Sequence, residues 1–477
     1  MATHQNPFLY LQRNADTNPG GIFSQSAEQR MTNAEAVVSV KKLAYEMRRL
    51  GVKAGDVVAL ALPDQLSILF TEAVYHEAAI SVVLPEKYSA DGVFQIDWVF
   101  CRETPVPQGG AQVVVVDSRF LQLVDQNPYG ISPSNEPIET LRIVLTSGTT
   151  GTPNAIALGR EMEQAMEVAV DIWFRGGPYL ILMDTGTAWG FGELYLSVKG
   201  GTPYLCPGGA SLEAIVRIAA ENSVKSLKGS PAQIAAVVDE LERQQRTLPS
   251  VETIFMGGTV VAPGLTSRLH QVTEGCMVFS NYGSTEAGGA TIRSYETDDP
   301  FDAGHVMPGS SLEIVDEDDR ALPDGDVGRI RYKSPGMVHA YLGNPEASSR
   351  AFKDGWFYPG DLGFVRPDRG LTLTGRESEL LNAGGVKIDP FRIDHFAIRS
   401  PKVIDACSFG YETASGLLQI GLALVTEDDF DVDVLLAELA AEFGSTSPKL
   451  IARVDAIPRT AAGKPLRRAL AERYKES

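Results

Sequence analysis

At 477 residues the chain exceeds the roughly 250–300 at which a single hydrophobic core stops growing, so at least two domains are expected. Its content, 44% hydrophobic and 22% charged, is that of a globular protein, and no apolar run reaches the roughly 18–20 residues that a membrane-spanning helix needs. A net charge of −19 excludes broad electrostatic attachment to nucleic acid or an anionic membrane, so any phosphate ligand has to be gripped locally.

The first residues lack a basic segment followed by an apolar core, which argues against a secretory signal and makes the cytoplasm the expected location. Apolar positions at helical spacing predict a helix over 34–50, ended by Gly51, and a strand follows over 57–62. Strands are expected at 112–116 and 141–146, a helix near 161–174, a strand at 179–183 and a helix near 191–199. A strand at 202–205 and a helix over 211–222 come next. The alternation continues with strands in "SVKSLKG", "VETIFMGG" and "CMVFSNYG" and helices near 231–247 and 262–272. This is βαβ periodicity, and it predicts parallel sheet covered by helices.

Past residue 300, "SLEIVDEDDRALPDGDVGRIRYKS" reads as short strands with Asp, Gly and Pro turns, which suggests a smaller antiparallel or barrel-like section. After a boundary near 375–378 the texture returns to mixed α+β and finishes in a basic helical tail. Four widely separated cysteines, Cys101, Cys206, Cys276 and Cys407, form neither a zinc spacing nor a disulfide framework.

The chemistry-bearing segments lie in loops. In "LTSGTTGTPN" the six residues Thr146, Ser147, Gly148, Thr149, Thr150 and Gly151 follow a strand, and such a loop presents backbone N–H groups and hydroxyls to an anion without side-chain bulk. It suits a polyphosphate, yet it lacks the GxxxxGK of a P-loop. "FSNYGSTEAGG" (279–289) places an aromatic, a glycine, a hydroxyl and a carboxylate just after a predicted strand, where open α/β sheets bind ligands. "DGWFYPGDLGFV" offers Asp361, "GRESELLNAGGVKIDP" offers Arg376, and "IPRTAAGKPLRR" offers Lys464.

In this order, from about residue 140 to 468, the segments resemble the motif series of the adenylate-forming superfamily: acyl-CoA synthetases, adenylation domains of nonribosomal peptide synthetases, and luciferases. The resemblance implies a large N-terminal domain, 1–375, and a small mobile C-terminal domain, 376–477, that carries the catalytic Lys464. It implies ATP and Mg²⁺ as cofactors and carboxylate activation as the chemistry: an acid attacks the α-phosphate of ATP, pyrophosphate leaves, and a thiol then displaces AMP from the acyl-adenylate. Thr146 to Gly151 would wrap the β- and γ-phosphates. Tyr282 would stack on adenine, with Gly257, Gly258, Asn281 and Gly283 around the base. Thr285 would bond the phosphates, and Glu286 would hold Mg²⁺. Asp361 would accept from the ribose hydroxyls, Arg376 would bracket the nucleotide, and Lys464 would meet the charge that develops on carboxylate and α-phosphate oxygens.

The same resemblance places the acyl pocket around "DTGTAWGFGE" (184–193), with Thr187, Trp189, Phe191 and Gly288 as candidate lining. Amino-acid-activating members keep an Asp near this point. Thr187 stands there, so a small carboxylic acid other than an α-amino acid is favoured, although Asp184 lies three residues away. Gly384, Gly385 and Lys387 match the segment bordering the pantetheine tunnel, which serves CoA or the phosphopantetheine of an acyl carrier protein equally; CoA is the preferred acceptor. Four positions depart from the usual pattern: Asn154 replaces the Lys that ends the phosphate loop, Ser378 occupies the hinge position, Asn382 replaces a frequent Lys, and Pro359 precedes "GD" where Thr is common. These departures keep a nucleotide-binding homologue without turnover as an alternative.

Overall fold

The computed structural model describes residues 6–85, 90, 92–103, 109–146, 153–159, 162, 177–259, 261, 264–294, 301–383, 386–413, 417–459 and 465–474. The predicted helix near 161–174 lies almost wholly outside them.

The helix Asn33–Leu50 shows how local sequence fixes an element. Thr32 and Glu35 form a reciprocal capping box at its start, and Gly51, at φ +110°, takes the left-handed conformation that ends it. Its buried face, including Val40, Leu43 and Met47, packs on a second helix, Asp64–His76. Every residue of that helix from Ser67 to His76 is buried, so it shows no polar face and no periodicity for sequence reading to find. Burial pushes its Glu72 carboxyl up to about 8.

Among the described residues the strands form two large sheets. The first runs in the order Gln112–Val115, Trp98–Cys101, Val57–Ala61, Ile80–Val83 and Thr140–Thr146, all parallel. It ends on an antiparallel partner, Asn154–Gly159, in which Asn154 faces Thr146. The second sheet has a parallel centre, Tyr204–Leu205, Tyr179–Ile181, Ser226–Gly229, Thr253–Gly257 and Met277–Ser284. Parallel strands need helical crossovers, and Ala188–Gly200, Leu212–Glu221, Pro231–Arg243 and Leu265–Thr273 supply them.

At Met277–Ser284 the pairing turns antiparallel, and Gly288–Ser294, Asp302–Val306, Gly370–Arg376, Asp361–Val365 and Gly328–Lys333 extend the same sheet. The section past residue 300, expected as antiparallel or barrel-like, is an antiparallel extension of this sheet, with no closing pair among the described residues. Short alternating strands look alike in both arrangements, and what separates them is whether the edge strands pair with each other, which local sequence does not record.

Beyond residue 380 a hairpin, Leu381–Ala383 with Val386–Ile388, leads to the helix Pro390–Ile398. Three strands follow, Val403–Glu412, Leu418–Thr426 and Leu450–Arg453. Their own apolar clusters centre on Ile393, Leu422, Leu439 and on Cys407, Phe409, Leu470. All four cysteines are buried as separate thiols. Among the described residues no helix is long and apolar enough to cross a membrane.

Candidate active site

A cleft of about 2200 Å³ opens where the two large sheets and the C-terminal segment meet. It lies at the C-terminal ends of the parallel strands, beside the switch from parallel to antiparallel pairing. Its floor is built for close approach. Gly257 ends a strand, and a Cβ there would come 2.5 Å from Asn281 Oδ1 and 3.0 Å from the Trp189 ring. Gly258 follows at φ +89°. At Gly283 a Cβ would collide with the carbonyl of Gly288, so the hairpin carrying Tyr282 closes only with glycine there.

Along one wall three side chains form a connected group. The Tyr282 hydroxyl donates to Asp361 Oδ2 at 2.6 Å, and Arg376 Nε meets Asp361 Oδ1 at 2.8 Å. The register of two strands sets this pairing, since Asp361 and Arg376 are directly opposite each other. Burial, reinforced by the neighbouring Asp361 carboxylate, holds the Tyr282 phenol well above its ordinary range. Burial is the largest single influence on Arg376 and lowers it, but the charges of Asp361 and Glu379, with Tyr282 and the hydrogen bond to Asp361, together outweigh it and the guanidinium is raised. Each Asp361 oxygen already accepts one bond, and a carboxylate oxygen can accept a second, so Asp361 keeps acceptor capacity at the cleft border.

On the opposite side Glu286 Oε1 accepts from the Tyr341 hydroxyl at 2.9 Å; its other oxygen has no hydrogen-bond partner among the described residues. Thr285 and Gly288 border the same space. A lone carboxylate is a fit donor for Mg²⁺, which takes one or two protein oxygens and completes its shell with phosphates and water. Asn154, across the hairpin from Thr146, is engaged: its Oδ1 accepts from Asn344 Nδ2 at 2.9 Å, and Asn344 in turn caps the helix Pro345–Ala351.

The structure thus brings Thr146, Gly257, Gly258, Asn281, Tyr282, Gly283, Thr285, Glu286, Asp361 and Arg376 to one cleft, together with Thr187, Trp189 and Gly288. Ser147, Gly148, Thr149, Thr150, Gly151, Gly384, Gly385 and Lys464 lie outside the described residues. The Lys387 side chain is likewise outside them, although its backbone pairs with Asn382. Ser378 sits in a short 3-10 turn, Glu377–Glu379, between Arg376 and Glu379, which line the cleft, and is not itself part of that lining.

Phe191 has to be corrected. It is fully buried beneath the guanidinium of Arg142, 4.6 Å from its ring centre, and borders no part of the cleft. Residues two apart on a helix point about 200° apart, so Trp189 and Phe191 do not share a face. The Thr187 hydroxyl is occupied as a helix cap, accepting from Gly190 N and donating to the Asp184 carbonyl. Asp184 turns one oxygen back to the Gly186 N–H.

Sequence reading passed over Glu193 and Lys228, which form a buried ion pair at the cleft wall. A lone Lys in the apolar strand "SLKG" was the available signal, because an unpaired Lys is almost never fully buried. It also passed over Asp389 and Arg467, which the C-terminal segment brings to the cleft.

The sequence profile described as "AMP-binding enzyme" matches residues 11–342. A 2-succinylbenzoate–CoA ligase of Bacillus licheniformis is 26% identical, over 97% of this chain and 98% of that protein. The fatty acid–[acyl-carrier-protein] ligase MmaC of Mycobacterium marinum is 29% identical over 71% of this chain and 70% of its own. ATP-bound MatB from Rhodopseudomonas palustris superposes with a TM-score of 0.84, covering 99% of both chains at 21% identity, a likeness of fold. The glycine floor, the Tyr282–Asp361–Arg376 group and the profile match agree, and the chain belongs to the family of AMP-binding enzymes.

Proposed function

We propose that the protein is an AMP-forming acid–thiol ligase with CoA as the acceptor. A carboxylate oxygen of the acid bonds to the α-phosphorus of ATP as the bond to pyrophosphate breaks. A thiolate sulfur then bonds to the acyl carbon, and AMP departs with the carboxyl-derived oxygen. The observation that carries this reading is the Tyr282–Asp361–Arg376 group standing over a floor that only glycines allow, in the same cleft as Glu286. In this reading the adenine rests against Tyr282 between Gly257 and Gly283, the ribose hydroxyls donate to Asp361, and Arg376 brackets the nucleotide. Thr146, the loop 147–151 and Thr285 hold the phosphates, Glu286 supplies the protein oxygen for Mg²⁺, and Lys464 acts on the developing charge.

Residues 376–477 act as the lid, with Ser378 near the hinge, and the segment 382–387, with Gly384, Gly385 and Lys387, borders the thiol tunnel. The acid is small and not an α-amino acid, because the Thr187 hydroxyl is spent on its helix. Four separate buried thiols accord with a reducing compartment, and we assign the protein to the cytoplasm.

Likeness to MmaC supports a second reading, transfer to a carrier-protein phosphopantetheine. Acid-dependent exchange of labelled pyrophosphate into ATP tests activation, and thioester formation with free CoA against a pantetheinylated carrier protein tests the acceptor. Exchange followed by acyl-CoA release is expected. Exchange with transfer only to the carrier would replace the acceptor, and ATP binding with no exchange would leave a homologue without turnover.

A further inference from the structure

One end of the cleft carries a charged pair that the nucleotide site does not use. Lys228 Nζ donates to Glu193 Oε2 at 2.7 Å, with Lys228 only 2% and Glu193 only 7% exposed. One helical turn before Glu193, the Trp189 indole N–H donates to its other oxygen at 3.0 Å. The ammonium also sits 4.8 Å from the ring centre of Tyr179 and 5.7 Å from that of Phe255. Trp189, Glu193, Lys228 and Phe255 all border the cleft, and the Trp189 ring packs over Gly257, where the floor of the nucleotide site ends.

Burying two opposite charges costs several kcal/mol in desolvation, which their attraction only repays when the remaining hydrogen-bonding capacity is met. An alkyl chain laid against this pair would complete the desolvation and return nothing. A distal carboxylate would face Glu193, and a distal ammonium would face Lys228. A neutral hydroxyl suits both, since it can donate to a carboxylate and accept from a cation without adding charge to either. The aromatic walls, Trp189 and Phe255, match a flat ring leading to that hydroxyl.

Resting on the acid-activation reading, we infer that the Glu193–Lys228 pair is the specificity determinant of the acyl pocket, selecting a compact aryl acid with a neutral hydroxyl far from its carboxyl. The pair acts on substrate choice and not on the chemical step, so it governs which acid is adenylated and leaves the nucleotide's affinity unchanged.

The test is pyrophosphate exchange by the full chain with benzoate, 4-hydroxybenzoate, 4-hydroxycinnamate, terephthalate, 4-(aminomethyl)benzoate and octanoate. At least about a tenfold preference in kcat/KM is expected for a hydroxylated aryl acid over the matching acid without the hydroxyl. In the double variant E193M/K228M, where apolar residues of similar size replace a buried pair at little cost to folding, the preference should pass to the unsubstituted or alkyl acid. In E193Q the pocket gains net positive charge, and terephthalate should improve relative to 4-hydroxybenzoate. Equal or better use of octanoate or of either charged acid by the wild type overturns the inference, as does an unchanged preference in both variants. Exchange with none of these acids also overturns the inference; exchange with some other carboxylic acid would then keep the activation reading on which it rests, and ATP binding without exchange for any acid would remove that reading as well.

Discussion

Asn154 shows how a single residue connects fold and chemistry. The resemblance to adenylate-forming enzymes puts Lys at this position, whereas here an amide ties the end of the phosphate hairpin to Asn344 and, through it, to the start of the helix Pro345–Ala351. Replacing it by Lys exchanges a neutral hydrogen bond for a partly hydrated charge beside the phosphates. Asn154→Lys should therefore tighten pyrophosphate binding by about 1 kcal/mol or less and leave the choice of acid untouched, as titration of product inhibition would show. A changed acid preference would place this loop elsewhere. Lys464→Ala should lower acyl-AMP formation roughly 10²- to 10³-fold with ATP binding largely kept, by analogy with removal of one preorganised oxyanion donor. Near wild-type rates in a single-turnover assay would remove Lys464 from the mechanism.

The helix Ala188–Gly200 depends on Thr187 at its start. Thr187→Ala should cost about 1 kcal/mol in denaturant unfolding, because Gly190 N loses its acceptor, while Thr187→Asp should retain most of the cap. Equal losses in the two variants would deny the cap. Such elements were legible where the sequence carries its own boundary signal, as with the glycine after Leu50. The helix Asp64–His76 was not, because burial on all sides erases the amphipathic pattern. Tyr282, Asp361 and Arg376 could be singled out in the sequence because each stands in a short, local motif, and the structure brings them together. The Glu193–Lys228 pair was not, since it joins residues 35 apart in sequence and exists only once helix and strand are packed together.

Across the whole molecule the cleft is bordered by a C-terminal segment that carries a titratable contact. Asp389, which caps the helix Pro390–Ile398, packs against Gly375 with Oδ2 buried and without a partner among the described residues. Burial is the main cause that pushes its carboxyl up to about 7; the Phe391 N–H and Arg467 oppose this, and Asp394 and Glu379 add to it. Because the folded value lies above the ordinary 3.8, the folded protein binds this proton more tightly than the unfolded chain does. Its contribution to stability is complete below about pH 4 and is lost as pH rises through about 7. Asp389→Asn keeps the cap and removes the titration, so its thermal stability should fall less than that of the wild type between pH 5 and 7.5; parallel falls would exclude Asp389 as a source of the slope.

On the proposed chemistry this cleft joins an acid to AMP before it joins the acid to a thiol. Mass spectrometry of one reaction tests it: enzyme, ATP, Mg²⁺ and an acid that supports pyrophosphate exchange, sampled before and after CoA is added. Enzyme-bound acyl-AMP and free pyrophosphate should be present first, and after addition acyl-CoA and AMP should appear in equal amounts. Release of ADP and phosphate, or of AMP without any acid-derived adenylate, would contradict the account.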